Sequence, residues 1–414
     1  MFAEHGHATG ETQAKIDRAF QQLFHGDGQT ESVYFEKGSN ANGPLAYVTD
    51  WANHDARTEG MSYGMMIAVE LNHKHEFDAI WNWANTYMLI TDAKNPNVGY
   101  FAWSMNWDGT PRSDSPATDG EEYFTMALYF ADHRWRSGKG IYDYKGQADR
   151  LLRLMRHHPA VTGTGPFRIH PEDPPFLSQR RKISVGEGAA QAGSGPMVEE
   201  AHAMMRFVPN YVVGETGAGG RVPAYEMTDA SYHLPHFYEL WARWGPKEDR
   251  AFWLRAAEAS RRYFPAVVGA KTGLTPERSG FDASPVMGWN GKAVGFENDS
   301  WRSVSNWSVD YAWFGKSADE PVLSDRYQGF LVGQGMTTFA DHYTLDGKST
   351  SQQHSAGMVA AAAVGGLAAT KGANADAFVE ALWGMPIPRD QGRYYDGLLY
   401  LMSMMHCSGQ FRIW

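Results

Sequence analysis

The sequence predicts an all-α fold in which helices come in consecutive antiparallel pairs. Three observations carry this. Apolar residues recur at helical spacing along most of the 414-residue chain. No strand–helix alternation appears, as a doubly wound sheet or a parallel barrel would require. The helices fall in pairs, and two long Gly- and Pro-rich excursions interrupt them. Pairs with excursions at one end suggest a closed ring of hairpins, an (α/α)6 barrel, in a single domain over residues 1–414.

The first helix, Ile16 to Phe24, has Ile16, Phe20, Leu23 and Phe24 on one face and ends near Gly26. The second opens at Glu59 and runs to about Leu71, with Glu76 to Tyr87 as its antiparallel mate. Gly120 to Trp135 carries the strongest pattern, and Tyr144 to Arg156 follows. From Pro159 to about Thr228 the helical period lapses, leaving only short extended runs such as Met204–Val208. So long a stretch is more often a functional excursion than a domain, able to wall a cleft or mediate a dimer. Helices resume at Ser231–Trp244 and Glu248–Phe264, and a second excursion spans Lys271–Gly295. The remainder reads as helices at about Asp299–Phe314, Asp319–Asp341, Gln353–Ala369, Asn374–Trp383 and Tyr395–Cys407.

Composition narrows the function. A formal net charge of −10 argues against a nucleic-acid partner. The one cysteine, Cys407, excludes an internal disulfide. No apolar run approaches the ~18 residues of a membrane span. Met1 to His5 lacks a charged-then-apolar leader, so the expected location is cytoplasmic, or secreted if a leader has been removed.

Aromatic residues make up 14% of the chain, and many stand beside polar ones: Trp51 near Asn53, Trp81-Asn82-Trp83, Trp103 and Trp107 around Asn106, Trp289-Asn290. Flat faces beside amides and carboxylates suit sugars, whose C–H groups stack while their hydroxyls are bonded at the edges. Most single tryptophans are ordinary core; Trp103 is expected to meet ligand.

Chemistry centres on Asp55 to Val69, which passes from charged to apolar. Glu59 sits at the mouth of a helix whose Met65, Met66 and Val69 point to a core. Half desolvated, its carboxyl should hold a proton more tightly than usual. Gly60 and Gly64 are expected to leave room for a ligand. Asp119, Asp229 and Asp299 stand at similar loop-to-helix junctions. One such Asp is ordinarily a cap worth ~1 kcal/mol; several on one rim, among aromatics, point to a site. The paired histidines His5/His7, His73/His75 and His157/His158 lack an HExxH or Cys-rich companion, so no metal is implied. The glycine loop Gly214 to Gly220 fits no nucleotide motif, and there is no GxSxG elbow.

Five blocks then carry a resemblance: Arg57 to Met65 (RTEGMSYGM), Asp119 to Phe124 (DGEEYF), Ser231 to Pro235 (SYHLP), Asp299 to Arg302 (DSWR) and Arg393-Tyr394-Tyr395. Their order resembles glycoside hydrolase family 8, most of all its xylan-active branch, from about residue 11 to the C-terminus. The resemblance implies an (α/α)6 barrel and hydrolysis of β-1,4-xylosidic bonds with inversion. Position by position, Glu59 resembles the general acid and Asp299 the general base. Asp119 resembles the carboxylate that binds and distorts the sugar. Tyr232 resembles the residue that helps hold the attacking water, and Arg302 and Arg57 resemble partners that keep the carboxylates oriented. Tyr394 and Tyr395 are expected to line the substrate site. His354 resembles a histidine in the loop that closes the cleft in reducing-end xylose-releasing members.

An inverting pair needs a water between its carboxyls, so Glu59 and Asp299 should lie roughly 6.5–9.5 Å apart. Glu59 should be buried and protonated, and Asp299 ionised beside Arg302 or polar donors. The expected substrate is a xylo-oligosaccharide or xylan, with no metal or organic cofactor, and the chain a monomer or homodimer. The leading expectation is release of xylose from the reducing end; endo-β-1,4-xylanase action is second. A non-catalytic sugar-binding ring would have lost one of these residues. An epimerase or lyase would lean on His or Tyr pairs or a metal.

Overall fold

The computed structural model describes residues 1–163, 167–170, 192–212, 222–288 and 291–414. Among these, twelve α-helices occur: α1 (Thr9–His25), α2 (Thr58–Leu71), α3 (Lys74–Trp83), α4 (Thr118–Trp135), α5 (Tyr144–His157), α6 (Pro235–Trp244), α7 (Arg250–Val267), α8 (Ser303–Phe314), α9 (Asp319–Gln334), α10 (Ala356–Val364), α11 (Ala373–Gly384) and α12 (Tyr395–Ser408). None is long and apolar enough to cross a membrane.

Helix α2 packs on α4, α6 on α8, α8 on α10, α10 on α12, and α12 on α2. Between α4 and α6, the Tyr123 and Phe237 rings lie 5.1 Å apart and Tyr238 donates to Glu122 at 2.7 Å. Each of these six carries one of the others: α3 on α2, α5 on α4, α7 on α6, α9 on α8, α11 on α10, α1 on α12. Burial separates the two sets. In α2 and α10 nearly every side chain is buried, whereas α5 buries one stripe led by Leu151, Leu152 and Met155. A helix covered all round lies inside a core, and a striped one lies over it.

The expected core residues Met65, Met66 and Val69 are fully buried. Helix α4 approaches α2 at Gly120, where a Cβ would stand 2.4 Å from Thr58 Cβ. That contact admits no side chain, and it brings the first turns of the two helices together.

Several boundaries differ from expectation. Helix α9 stops at Gln334, not near Asp341, because Gly335 turns the chain at φ +100°. Helix α6 starts at Pro235 because a proline disfavours helix in the residue before it; a 3-10 turn covers Ala230–Tyr232. Helix α10 starts at Ala356, after an extended Ser355. Helix α3 ends at Trp83 and passes into a π-turn over Ala84–Met88.

The sequence reading also missed a small sheet. Strands β1 (Tyr34–Asn40), β2 (Gly43–Asp50), β3 (Asp55–Arg57) and β4 (Ser104–Met105) pair antiparallel in that order. A register irregularity between Glu36 and Ser39, and the polar exposed run of β1, hide the period-two pattern.

The described parts of the first excursion carry short strands, including β5 (Val161–Gly163), β6 (Ala192–Ser194) and β7 (Asn210–Val212) in one sheet. At its end Thr228–Asp229 pairs with Arg278–Ser279, tying the two excursions together. The Gly214–Gly220 loop and the Trp289-Asn290 pair lie outside the described residues.

Gly120→Ala should force Thr58 and its backbone away from α4. The expected loss is about 1–3 kcal/mol, read as a lower urea midpoint with an unchanged slope.

Candidate active site

The site forms where the first turns of α2 and α4 meet the turn before α8. Strand β3 delivers the chain in extended form to Arg57, and the Thr58 amide bonds the Trp103 carbonyl at 3.0 Å before α2 begins. Glu59 is therefore the second helical residue, as Asp119 is in α4. Neither helix start has a side-chain cap bond. Both carboxyls are directed instead to Arg302.

Arg302 lies in the 3-10 turn Asn298–Arg302, whose start is closed by a reciprocal Glu297–Ser300 capping box. Its Nη1 donates to Glu59 Oε2 and Asp119 Oδ2, each at 3.1 Å, and to Tyr63 Oη at 2.5 Å. Its Nη2 donates to Ser231 Oγ at 2.9 Å and pairs with Asp299 Oδ1 at 3.0 Å. One guanidinium thus gathers three carboxyls from distant parts of the chain. Because its two terminal nitrogens are only a little over 2 Å apart, Glu59 Oε2 and Asp299 Oδ1 lie within about 8.5 Å of each other, inside the upper limit for an inverting pair.

The environments differ. The Glu59 side chain is 16% exposed and that of Asp299 30%. Burial pushes the Glu59 carboxyl up to about 7. Arg302 opposes this, while Asp299 and Asp119 reinforce it. Tyr394 Oη donates to Glu59 Oε1 at 2.9 Å and pulls the other way. Burial also raises Asp119, against Arg302.

Other expected residues are placed as follows. Tyr394 packs its ring over Gly60, where a Cβ would stand 2.3 Å from it, while Val48 and Ile80 fill the space at Gly64. Both glycines therefore serve close packing and not ligand room, a correction to the sequence reading. Arg57 lies close enough to Glu59 to feel its charge. It pairs with Asp50 at 3.2 Å and Asp55 at 3.1 Å and lies over the half-buried Trp103 ring, so it braces the strand that precedes Glu59. Tyr232 is buried, with its ring stacked 6.0 Å from Phe207. Tyr395 donates to the Asn298 carbonyl at 3.0 Å, beside Asp299. His354 is exposed; its Nδ1 lies 2.8 Å from the Phe339 carbonyl and its ring against Phe339.

Three participants were not assigned from sequence. Tyr63 stands four residues after Glu59 on one helix face, a spacing that could have found it. Asp229 was noted only as a junction residue; it is fully buried and holds Ser231. Glu277, pushed up to about 7 by burial and by Asp299, lies in the second excursion, where no periodicity marks it.

Known proteins resemble this chain along its length. The family model for glycosyl hydrolases family 8 matches residues 40–166. A reducing end xylose-releasing exo-oligoxylanase from Halalkalibacterium halodurans is 37% identical, over 100% of this chain and 94% of that protein. The reducing-end xylose-releasing exo-oligoxylanase Rex8A of Paenibacillus barcinonensis is 35% identical, over 100% and 96%. The solved xylohexaose complex of a catalytic mutant of a family 8 xylanase from Teredinibacter turnerae is 43% identical, with a TM-score of 0.88 over 99% of this chain and 96% of that one. The chain belongs to glycosyl hydrolases family 8. It is a glycoside hydrolase.

Tyr394→Phe should raise the Glu59 pKa above about 7, since it removes a donor that favours the charged form. Carbon-13 carboxyl titration by NMR would show the shift; an unchanged titration would contradict the bond.

Proposed function

We propose that this chain hydrolyses β-1,4-xylosidic bonds with inversion and releases xylose from the reducing end of xylo-oligosaccharides. The single observation that carries the chemistry is the Arg302 bridge, which holds a mostly covered Glu59 and a more exposed Asp299 on one guanidinium. The substrate reading is supported by the exo-oligoxylanase relatives, whose matches cover 94% and 96% of their own length. The pairwise helix contacts support a closed (α/α)6 barrel acting as one catalytic domain.

In this reading Glu59 protonates the leaving oxygen. Burial and two neighbouring carboxyls make its proton available near neutrality. Asp299 takes a proton from the water that attacks the opposite face of the sugar. Asp119, held on the same guanidinium nitrogen as Glu59, bonds and distorts the sugar at the cleavage point. Tyr232 helps hold the water, and Trp103, Tyr394 and Tyr395 line the sugar path. Arg302 keeps the three carboxyls in register, and Arg57 holds the approach to Glu59.

Exo action requires a wall beyond the leaving xylose. The segment from Asp341 to Ser355 is tied to the Asp299 turn. The Trp301 indole donates to the Asp341 carbonyl at 2.9 Å, and His342 Nε2 lies 3.3 Å from Asn298 Oδ1. His354 belongs to this segment. A second reading, endo action, draws on one observation: among the described residues, the hydrogen-bond and ring contacts of His354 are with Phe339 and not with a site carboxyl.

Glu59→Gln should lower kcat on xylohexaose by about 10²–10⁴-fold, and substantial remaining activity would sink the acid assignment. In the wild type, kcat/KM should fall as pH rises through about 7, because the acid then loses its proton. NMR of early products should show the α-anomer. Free xylose from the first turnover of xylohexaose marks exo cleavage, and mid-chain products mark endo cleavage.

A further inference from the structure

We infer that Asp229, acting through Ser231, is a positioning residue that sets the rotation of the Arg302 guanidinium and so the spacing of the three carboxyls it holds. The inference rests on the hydrolase reading above, and it adds a layer behind the residues that meet substrate.

The connectivity is fully drawn. Asp229 Oδ1 accepts from the Ser231 amide and from Ser231 Oγ, both at 2.7 Å. Ser231 Oγ in turn accepts from Arg302 Nη2 at 2.9 Å. A hydroxyl carries one hydrogen. Since Asp229 takes it, only lone pairs face the guanidinium. Without that acceptor the hydroxyl can turn its hydrogen toward Nη2, placing donor against donor. Nη2 has two hydrogens, and the other partner is Asp299 Oδ1 at 3.0 Å. Losing the Ser231 bond frees the planar guanidinium to turn as a unit about its Cδ–Nε bond. That rotation shifts Asp299 on one nitrogen against Glu59 and Asp119 on the other.

The rest of Ser231 is fixed independently, because Asn306 Nδ2 donates to its carbonyl at 2.7 Å. Asp229 itself is held by strand pairing with Arg278. The residue is fully buried, so it has no access to a sugar. Its Oδ2 has no hydrogen-bond partner among the described residues. Burial, with Asp299 adding to it, holds the group well above the usual carboxylate range. A neutral acid that uses only Oδ1 is chemically close to an amide. The required feature is therefore an acceptor at Oδ1, not a charge.

This separates Asp229 from a second catalytic base. Asp229→Asn keeps the acceptor and removes the charge; Asp229→Ala removes both; Ser231→Ala removes the link. Steady-state kinetics on xylohexaose should place Asp229→Asn within about threefold of wild-type kcat. Asp229→Ala and Ser231→Ala should lose about 10–100-fold, in kcat more than in KM. Equal loss in Asp229→Asn and Asp229→Ala would overturn the inference, as would wild-type kcat in Ser231→Ala. If Asp229→Ala does not fold, the Ser231→Ala and Asp229→Asn pair decides it. Wild-type enzyme with no action on xylohexaose would instead refute the xylo-oligosaccharide reading. Crystal structures of Ser231→Ala and Asp229→Asn would then still test whether the guanidinium turns in the first and stays in the second.

Discussion

One cation shared by three carboxyls is the constraint on which the site depends. Arg302 is almost wholly buried, and Glu59, Asp119 and Asp299 all reach it. Were all three ionised, the cluster would carry two uncompensated negative charges in a region mostly shielded from water. Two like charges roughly 5 Å apart repel by about 3 kcal/mol even at an effective dielectric near 20. Repulsion of that size favours keeping a proton within the cluster. The guanidinium thus keeps the acids close together while leaving them short of positive charge. Both effects are needed for acid–base work near neutral pH.

Environment decides which acid keeps the proton. Glu59 has less contact with solvent than Asp299, and burial outweighs both the Arg302 charge and the Tyr394 hydroxyl. These opposing terms are supplied by packing. Tyr394 reaches Glu59 only because Gly60 has no side chain in its path, and Asp119 lies beside Glu59 only because Gly120 lets α4 close on α2. The electrostatics of the site are thus a consequence of two helix contacts that exclude a Cβ. Tyr63 and Ser231 complete the shell around the guanidinium, so each of its terminal nitrogens meets a neutral acceptor as well as a carboxyl.

Much of this was legible before any coordinates. The helices with a one-sided pattern, such as α1 and α5, were found because a face packed on a core leaves a 3.6-residue period. The buried helix α2 was found by its continuous apolar run after Glu59. Glu59, Asp119 and Asp299 were recognisable as acids at helix mouths, and the five blocks joined them. The β1–β2 hairpin was hidden because a register irregularity and an exposed polar strand erase alternation. Gly60 and Gly64 were misread because a missing side chain looks the same in sequence whether ligand or protein fills the space. Nor does an arginine two residues before an acid reveal that Asp50 and Asp55 pair with it.

The sequence by itself determined the helical class and the family, and it marked Glu59, Asp119 and Asp299 as candidate acids, because these rest on local periodicity and on residue types in order. Only the tertiary structure decided that residues 59, 119, 231, 299 and 394 share one small volume. It also decided that Glu59 and Asp299 differ in exposure, and that a fully buried aspartate stands behind the arginine. Convergence and desolvation depend on how distant segments pack, and neither leaves a mark on the spacing of residues along the chain.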